Sequence, residues 1–433
     1  MSAARLALLL SLAVFAALTA APVEARATSA PGPIASAPPP PSLAAVRTGS
    51  RLLDPPIPGA DDGPIVVSGA RSLYSLRLEA PPALQPLRRE VEALLSRTGG
   101  FSFGGQEADG VLTLQDSPSG VLLTVRRPGQ PERLSRAAGP PLLLAGALAD
   151  AVLRAFGRDA EFSSLVAWVR GGQWLCLGTP SGNELRAWPS SGDVVAASFA
   201  DQGAELVYAR ATDARRELLR ARIDGAEAPR PFLSWPGHAS SPLLLAGGVY
   251  YFSGATPTGV GLFWGTLGAP PQALFPRRSA TLEVSPALDP AHHRLAFVTD
   301  RGGQQRIHLS GLDGGGETTL ETGLGQALDP AFSTSGDQLA YALSERNGEQ
   351  QVWVADLRTG QRRVVTGGPG KRSHPSFSPG GGLIVYQQRG DGPSQVWTAS
   401  ALGGSERLLV SSPAGATLPV WGPLRGLAAV AAR

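Results

Sequence analysis

From about residue 160 onward the chain repeats one pattern: a short apolar run, a polar turn, and a second run rich in Trp, Val and Leu. The first runs read Ala167-Trp168-Val169, Leu206-Val207-Tyr208-Ala209, Val249-Tyr250-Tyr251-Phe252, Leu295-Ala296-Phe297-Val298, Leu339-Ala340-Tyr341-Ala342 and Leu383-Ile384-Val385-Tyr386. The second runs centre on Trp174, Leu219, Phe263, Ile307, Trp353 and Trp397. Successive first runs start about 40 to 46 residues apart, the length of one four-stranded propeller blade. The pattern predicts a mainly β protein, a six-bladed β-propeller.

The fifth unit shows how a blade is written. Asp329-Pro330-Ala331-Phe332-Ser333 leads through Thr334-Ser335-Gly336-Asp337 to Leu339-Ala340-Tyr341-Ala342, and then through Glu345-Arg346-Asn347-Gly348 to Val352-Trp353-Val354-Ala355-Asp356-Leu357. Each break carries the Gly, Asn, Asp or Ser that a tight turn needs. One blade cannot bury both of its faces, so the blades must stack into a ring. A partial seventh copy, Leu418-Pro419-Val420-Trp421, ends the chain, while the first unit lacks its Pro-x-aromatic start. The two defects complement each other: Trp421 is predicted to join the sheet of Trp168 and remove an open edge.

Ahead of the repeats, strands are predicted at Ile65-Val66-Val67, Tyr74-Ser75-Leu76-Arg77-Leu78, Val111-Leu112-Thr113-Leu114 and Val121-Leu122-Leu123-Thr124-Val125. Helices are predicted over 84–98, with Leu87, Val91, Leu94 and Leu95 on one face and Gly99 as its stop, and over 141–156. This reads as a small α/β domain at 64–160 with its own core, followed by the propeller at 161–425 and a tail at 426–433. Pro38-Pro39-Pro40-Pro41 marks a Pro-rich linker at 28–63. Before it, Arg5 and the apolar stretch 6–18, followed by small residues, read as a signal peptide at 1–27. That implies export to the periplasm, with no membrane span after cleavage.

Composition narrows the chemistry. The net charge is only +3 and the arginines are scattered, so no nucleic-acid partner is implied. The single Cys176 can form no internal disulfide and sits in an apolar strand pattern. No Gly-x-Ser-x-Gly elbow, His-Glu-x-x-His pair or paired-cysteine metal site is present, and the five histidines are dispersed. Gly367-Gly368-Pro369-Gly370-Lys371 fails as a phosphate loop, because Arg372 follows the lysine and Val365 replaces the first glycine. The expectation is a non-enzyme without cofactors or metal.

The repeat Pro-x-aromatic-Ser, Leu-Ala-Tyr, Val-Trp-Val-Ala-Asp-Leu resembles that of the TolB family, the periplasmic β-propellers of the Tol-Pal system. So do Leu95-Ser96-Arg97-Thr98-Gly99-Gly100-Phe101 and the passage from Leu148-Ala149-Asp150-Ala151-Val152 through Phe162-Ser163 to Ala167-Trp168-Val169. The resemblance spans roughly residues 64 to 423. It implies a monomer that docks a Pal-like peptidoglycan-associated lipoprotein over one channel mouth and supports outer-membrane integrity, cell division and macromolecule import. The Pro-rich segment after the signal does not resemble the extended sequence with which the family engages TolA. Propellers with this repeat also serve as substrate-screening modules for separate hydrolases, and exported propellers include lactonase-type enzymes.

The residues that open each innermost strand, just before its proline, are the candidate mouth. They are His238, Ser240 and Ser241; Glu283, Val284 and Ser285; Gln326 and Asp329; and Arg372, Ser373 and His374. His238 is singled out by the resemblance, since the family carries a partner-contacting histidine at the same spacing before a proline.

Overall fold

The computed structural model describes residues 74–424 except 105–107, 201–202, 214, 258, 277–281, 290 and 346–347. The predicted signal peptide, the linker, the strand at Ile65-Val66-Val67 and the tail lie outside the described residues.

The first unit of structure is a five-stranded sheet in the order β2-β1-β3-β4-β5, built from β1 (Tyr74–Glu79), β2 (Phe101–Phe103), β3 (Gly110–Ser117), β4 (Gly120–Arg126) and β5 (Arg133–Ala137). Alternation drives it: Leu76 and Leu78, Leu112 and Leu114, and Leu123 and Val125 are all buried. Helix α1 (Gln85–Arg97) buries Val91, Leu94 and Leu95, and packs on helix α2 (Pro141–Ala155). Thr98 closes α1 by donating from Oγ1 to the Leu95 carbonyl, and Gly99 at φ +66° turns the chain out. Along α2, Gly146 allows close approach, because a Cβ there would stand 2.5 Å from the Phe162 carbonyl oxygen.

Among the described residues, four four-stranded antiparallel sheets follow, with one eight-stranded sheet that divides at the single parallel pair of Gln350 with Lys371 into two four-stranded halves; these six units are here called blades 1 to 6. Their innermost strands are Ala416–Trp421 in blade 1, Asp193–Ala200 in blade 2, Ala239–Leu244 in blade 3, Glu283–Asp289 in blade 4, Gln326–Phe332 in blade 5 and Lys371–Phe377 in blade 6. Each touches the next in that order, and blade 6 returns to blade 1, so the ring closes. Blade 1 joins the two ends of the repeat: Trp421 stands opposite Val166 and Val420 opposite Ala167, in the sheet that also holds Trp168. The Trp421 indole N–H donates to the buried Ser164 hydroxyl at 2.7 Å.

The second strand of each blade carries the core, as with Leu339, Ala340, Tyr341 and Ala342, all fully buried. Tryptophans do not all follow. Trp168 is buried at 2% exposure, whereas Trp174 is 41% exposed and stands under the Arg170 guanidinium at 5.5 Å.

The expectation of two separate cores needs correction. One cluster of buried residues runs from Leu76, Leu112 and Leu148 of the α/β domain through Phe162 to Trp168, Leu383 and Trp421 of blades 1 and 6. The domain covers the apolar flank of these blades, so the interface is itself hydrophobic core.

Candidate functional site

Every innermost strand runs from one mouth of the channel to the other. The α/β domain occupies the finishing end. There Glu161 accepts N–H bonds from Gly380 at 3.0 Å and Gly382 at 2.8 Å, in the turn after the inner strand of blade 6. Asn183 of blade 1 donates to Glu90 at 3.3 Å, and Arg97 donates to the Pro180 carbonyl. The mouth where the inner strands begin lies at the opposite end, away from these contacts. That is where the candidate residues stand.

Proline shapes this mouth. It has no N–H for the ladder, so an inner strand can hold one only where pairing is interrupted. The register breaks across Ser241-Pro242, Ser285-Pro286, Asp329-Pro330, His374-Pro375 and Leu418-Pro419. At each break the residue before the proline is left-handed: Ser241 φ 51°, Ser285 φ 53°, Asp329 φ 50°, His374 φ 52° and Leu418 φ 52°. Non-glycine residues rarely adopt this conformation, and each instance costs about 1–3 kcal/mol. Blade 2 has no proline in its inner strand and breaks register elsewhere, opposite Ala209 and Arg210. Leu418 belongs to this ring although it is not among the predicted mouth residues. Its X-Pro step, about 44 residues after that of His374, is the signal that places it.

Side chains tie neighbouring blades together here. Asp329 Oδ2 accepts the His374 N–H at 3.1 Å and lies 3.5 Å from its Nδ1, joining blades 5 and 6. Ser376 Oγ accepts the Trp421 N–H at 3.0 Å, and Gln387 Oε1 accepts the Leu418 N–H at 3.1 Å. Ser198 donates to the Pro242 carbonyl.

His238 is exposed and sits 3.0 Å from Ser240 Oγ through Nε2. Desolvation by the surrounding protein, with Arg216 second, lowers its imidazole pKa. Gln326 is also exposed, while Ser240, Ser241, Val284, Ser285, Asp329, Ser373 and His374 are partly so. Two predicted mouth residues are not accessible. Glu283 is buried, paired with Thr299 in the ladder. Arg372 is buried at 4% exposure, where Nη1 donates to the Gly368 carbonyl at 2.8 Å and the Pro369 carbonyl at 3.2 Å, and Nε lies 3.7 Å from Glu406. Arg372 therefore holds a loop and presents no charge to the rim. Among the described residues, no group of three or more His, Cys, Asp or Glu stands together as metal ligands. No helix among them is long and apolar enough to cross a membrane.

These features define a class: a β-propeller closed by its own C-terminal strand, with an α/β domain on one face and a proline-braced mouth on the other. Residues 268–428 match the family model described as the TolB beta propeller domain. Over that stretch the propeller is TolB-like in sequence, and the fold as a whole is the one seen in a solved TolB. TolB from Acinetobacter baumannii superposes with a TM-score of 0.69 at 18% identity, covering 82% of this chain and 98% of that one. A putative TolB from Agrobacterium tumefaciens has a TM-score of 0.45 at 18% identity over 57% of this chain and 89% of its own. A puromycin-hydrolyzing peptidase from Mycobacterium tuberculosis has a TM-score of 0.40 at 18% identity over 52% and 40%. No curated protein matches the chain.

Proposed function

We propose that the chain is a non-enzymatic, exported scaffold of the cell envelope that docks a Pal-like peptidoglycan-associated lipoprotein on the open mouth. The role is of the TolB type, supporting outer-membrane integrity, cell division and macromolecule import from the periplasm. The observation that carries this reading is the left-handed pre-proline step repeated at the third or fourth residue of five inner strands, just inside the mouth where they begin. A backbone held in a costly conformation at the same place in blade after blade gives a preformed surface, and preformed surfaces lose little entropy on binding. That mouth lies opposite the α/β domain, so a protein partner can approach it.

The test uses the purified soluble domain of a Pal-type lipoprotein and titration calorimetry. His238→Ala combined with Gln326→Ala is expected to weaken binding about tenfold or more, since a few rim residues carry about 2 kcal/mol each. Both side chains are exposed, so the thermal transition should stay within about 1 °C of the parent. Unchanged affinity in the double variant, or no binding by the parent chain, would overturn the reading.

A further inference from the structure

A cleft of about 190 Å³ opens where the α/β domain meets blades 5 and 6, at the end of the ring opposite the candidate mouth. Arg158, Arg363, Gln338, Leu402 and the glycines 380–382 line it. Its two cations come from different parts of the molecule. Arg158 lies in the connector after α2, and Arg363 in the outer strand of blade 5 (Arg362–Val364).

Both guanidiniums are fixed by neutral groups. Arg158 Nη1 donates to Thr98 Oγ1 at 3.1 Å, and its guanidinium stands 5.6 Å from the Phe101 ring centre. Arg363 Nε donates to the Ala401 carbonyl at 2.8 Å, and its Nη2 to Gln338 Oε1 at 3.0 Å. Among the described residues, neither guanidinium hydrogen-bonds a carboxylate. The acids that act on them from nearby are engaged elsewhere. Glu161 accepts the Gly380 and Gly382 N–H groups, and Asp356 accepts those of Arg358 and Thr359. Burial lowers the pKa of both arginines, a desolvation cost that an anion in the cleft would offset.

A guanidinium offers more donors than these bonds use, and a planar fork already held in place loses little freedom on meeting an oxyanion. Gly381 has nothing within 4 Å of its Cβ position and leaves room for a ligand body beneath the partly apolar lip of Leu402, whereas Gly380 and Gly382 are packed against Asp159, Ala160 and Glu161. We propose that this cleft binds a small oxyanion, a phosphate or an organic carboxylate, clamped between Arg158 and Arg363.

The experiment is titration calorimetry of the full chain with inorganic phosphate and, separately, with succinate, each at constant ionic strength in chloride. Saturable binding of at least one anion is expected. Binding of phosphate alone marks the site as a phosphate site, and binding of succinate alone as a carboxylate site. Arg363→Gln should weaken whichever binds by about tenfold or more. Because that change also removes a bond to blade 6, a second pair of variants keeps the arginines intact. Gly381 has φ +75° and nothing within 4 Å of its Cβ position, and Asp and Asn tolerate that backbone about equally. Gly381→Asp should abolish binding by repulsion, while Gly381→Asn keeps it within about threefold of the parent. No saturable binding of either anion, or equal affinity in the Asp and Asn variants, would overturn the proposal.

Discussion

Two buried carboxylates at the domain junction show what single residues do in this molecule. Asp150 is fully buried on α2 and accepts the N–H groups of Glu161, Phe162 and Ser163 at 2.7, 2.8 and 2.6 Å, which fixes the path of the chain into blade 1. Glu161 then reaches into blade 6. Desolvation raises its pKa to about 7 from 4.5, against the lowering by Ser378, Gly382 and Gly380, with Asp150 adding to the rise. The folded state therefore holds more protons than the unfolded chain between these two values. Glu161 contributes its stability in full below pH 4.5, and that contribution is lost as pH rises through about 7. The swing is on the order of 3 kcal/mol. His238 has the opposite sign, since its lowered pKa makes stability rise with pH towards 6.5. The difference between parent and Glu161→Gln isolates the carboxylate: the parent's thermal midpoint should fall relative to the variant's from about pH 5 to pH 8. Parallel melting curves across that range would remove Glu161 as the titrating group.

The informative elements are the inner strands, where local preference and global position conflict. Ser285 holds φ 53° ahead of Pro286, and the same bulge recurs in five of the six inner strands. Glycine adopts this backbone freely at an entropic cost of about 0.5–1 kcal/mol, less than the strain it relieves. A β-branched residue fits it badly. Ser285→Gly should therefore melt at or above the parent and Ser285→Val below it by about 1–2 kcal/mol, measured by thermal or urea unfolding. The reverse order would mean that the bulge carries no strain. The same strands show what was legible in advance. The period, the closure through Trp421, both helices and the strands around Leu76, Leu112 and Leu123 all follow from spacing and alternation. The two short strands of the α/β sheet do not. Phe101–Phe103 is only three residues long, and Arg133–Ala137 is a largely exposed edge, so neither has an apolar rhythm to read. At the mouth, Pro-x-aromatic spacing locates the bulges but cannot show that Arg372 turns back into its own loop or that Glu283 is shut inside the ladder. Those outcomes depend on partners far along the chain or in the neighbouring strand. The cleft of Arg158 and Arg363 has no sequence signature either, since its two cations are brought together only by the packing of the α/β domain on the ring.

For the whole molecule, the decisive bond between the ends of the repeat is the strand Ala416–Trp421. It supplies the innermost strand of blade 1, contacts the inner strands of blades 6 and 2, and places Trp421 in the cluster that also holds the α/β domain. Removing it would expose the Val166–Arg170 edge to the channel, strip the Ser164 hydroxyl of its indole partner and open the shared core at one stroke. Truncating one buried Trp to Ala typically costs about 3–5 kcal/mol. Ending the chain after Thr417 removes Trp421, Val420 and their ladder together, so its cost should exceed that range. An exposed inner edge is also a template for pairing with other chains. The expected outcome is a cooperative transition lost or lowered by well over 10 °C and the appearance of soluble aggregates by size-exclusion chromatography. Ending the chain after Pro423 leaves every one of these contacts and should unfold like the parent. If the shorter chain melts with the same midpoint and cooperativity as the longer one, the ring does not depend on its closing strand, and the stability must reside in the individual blades.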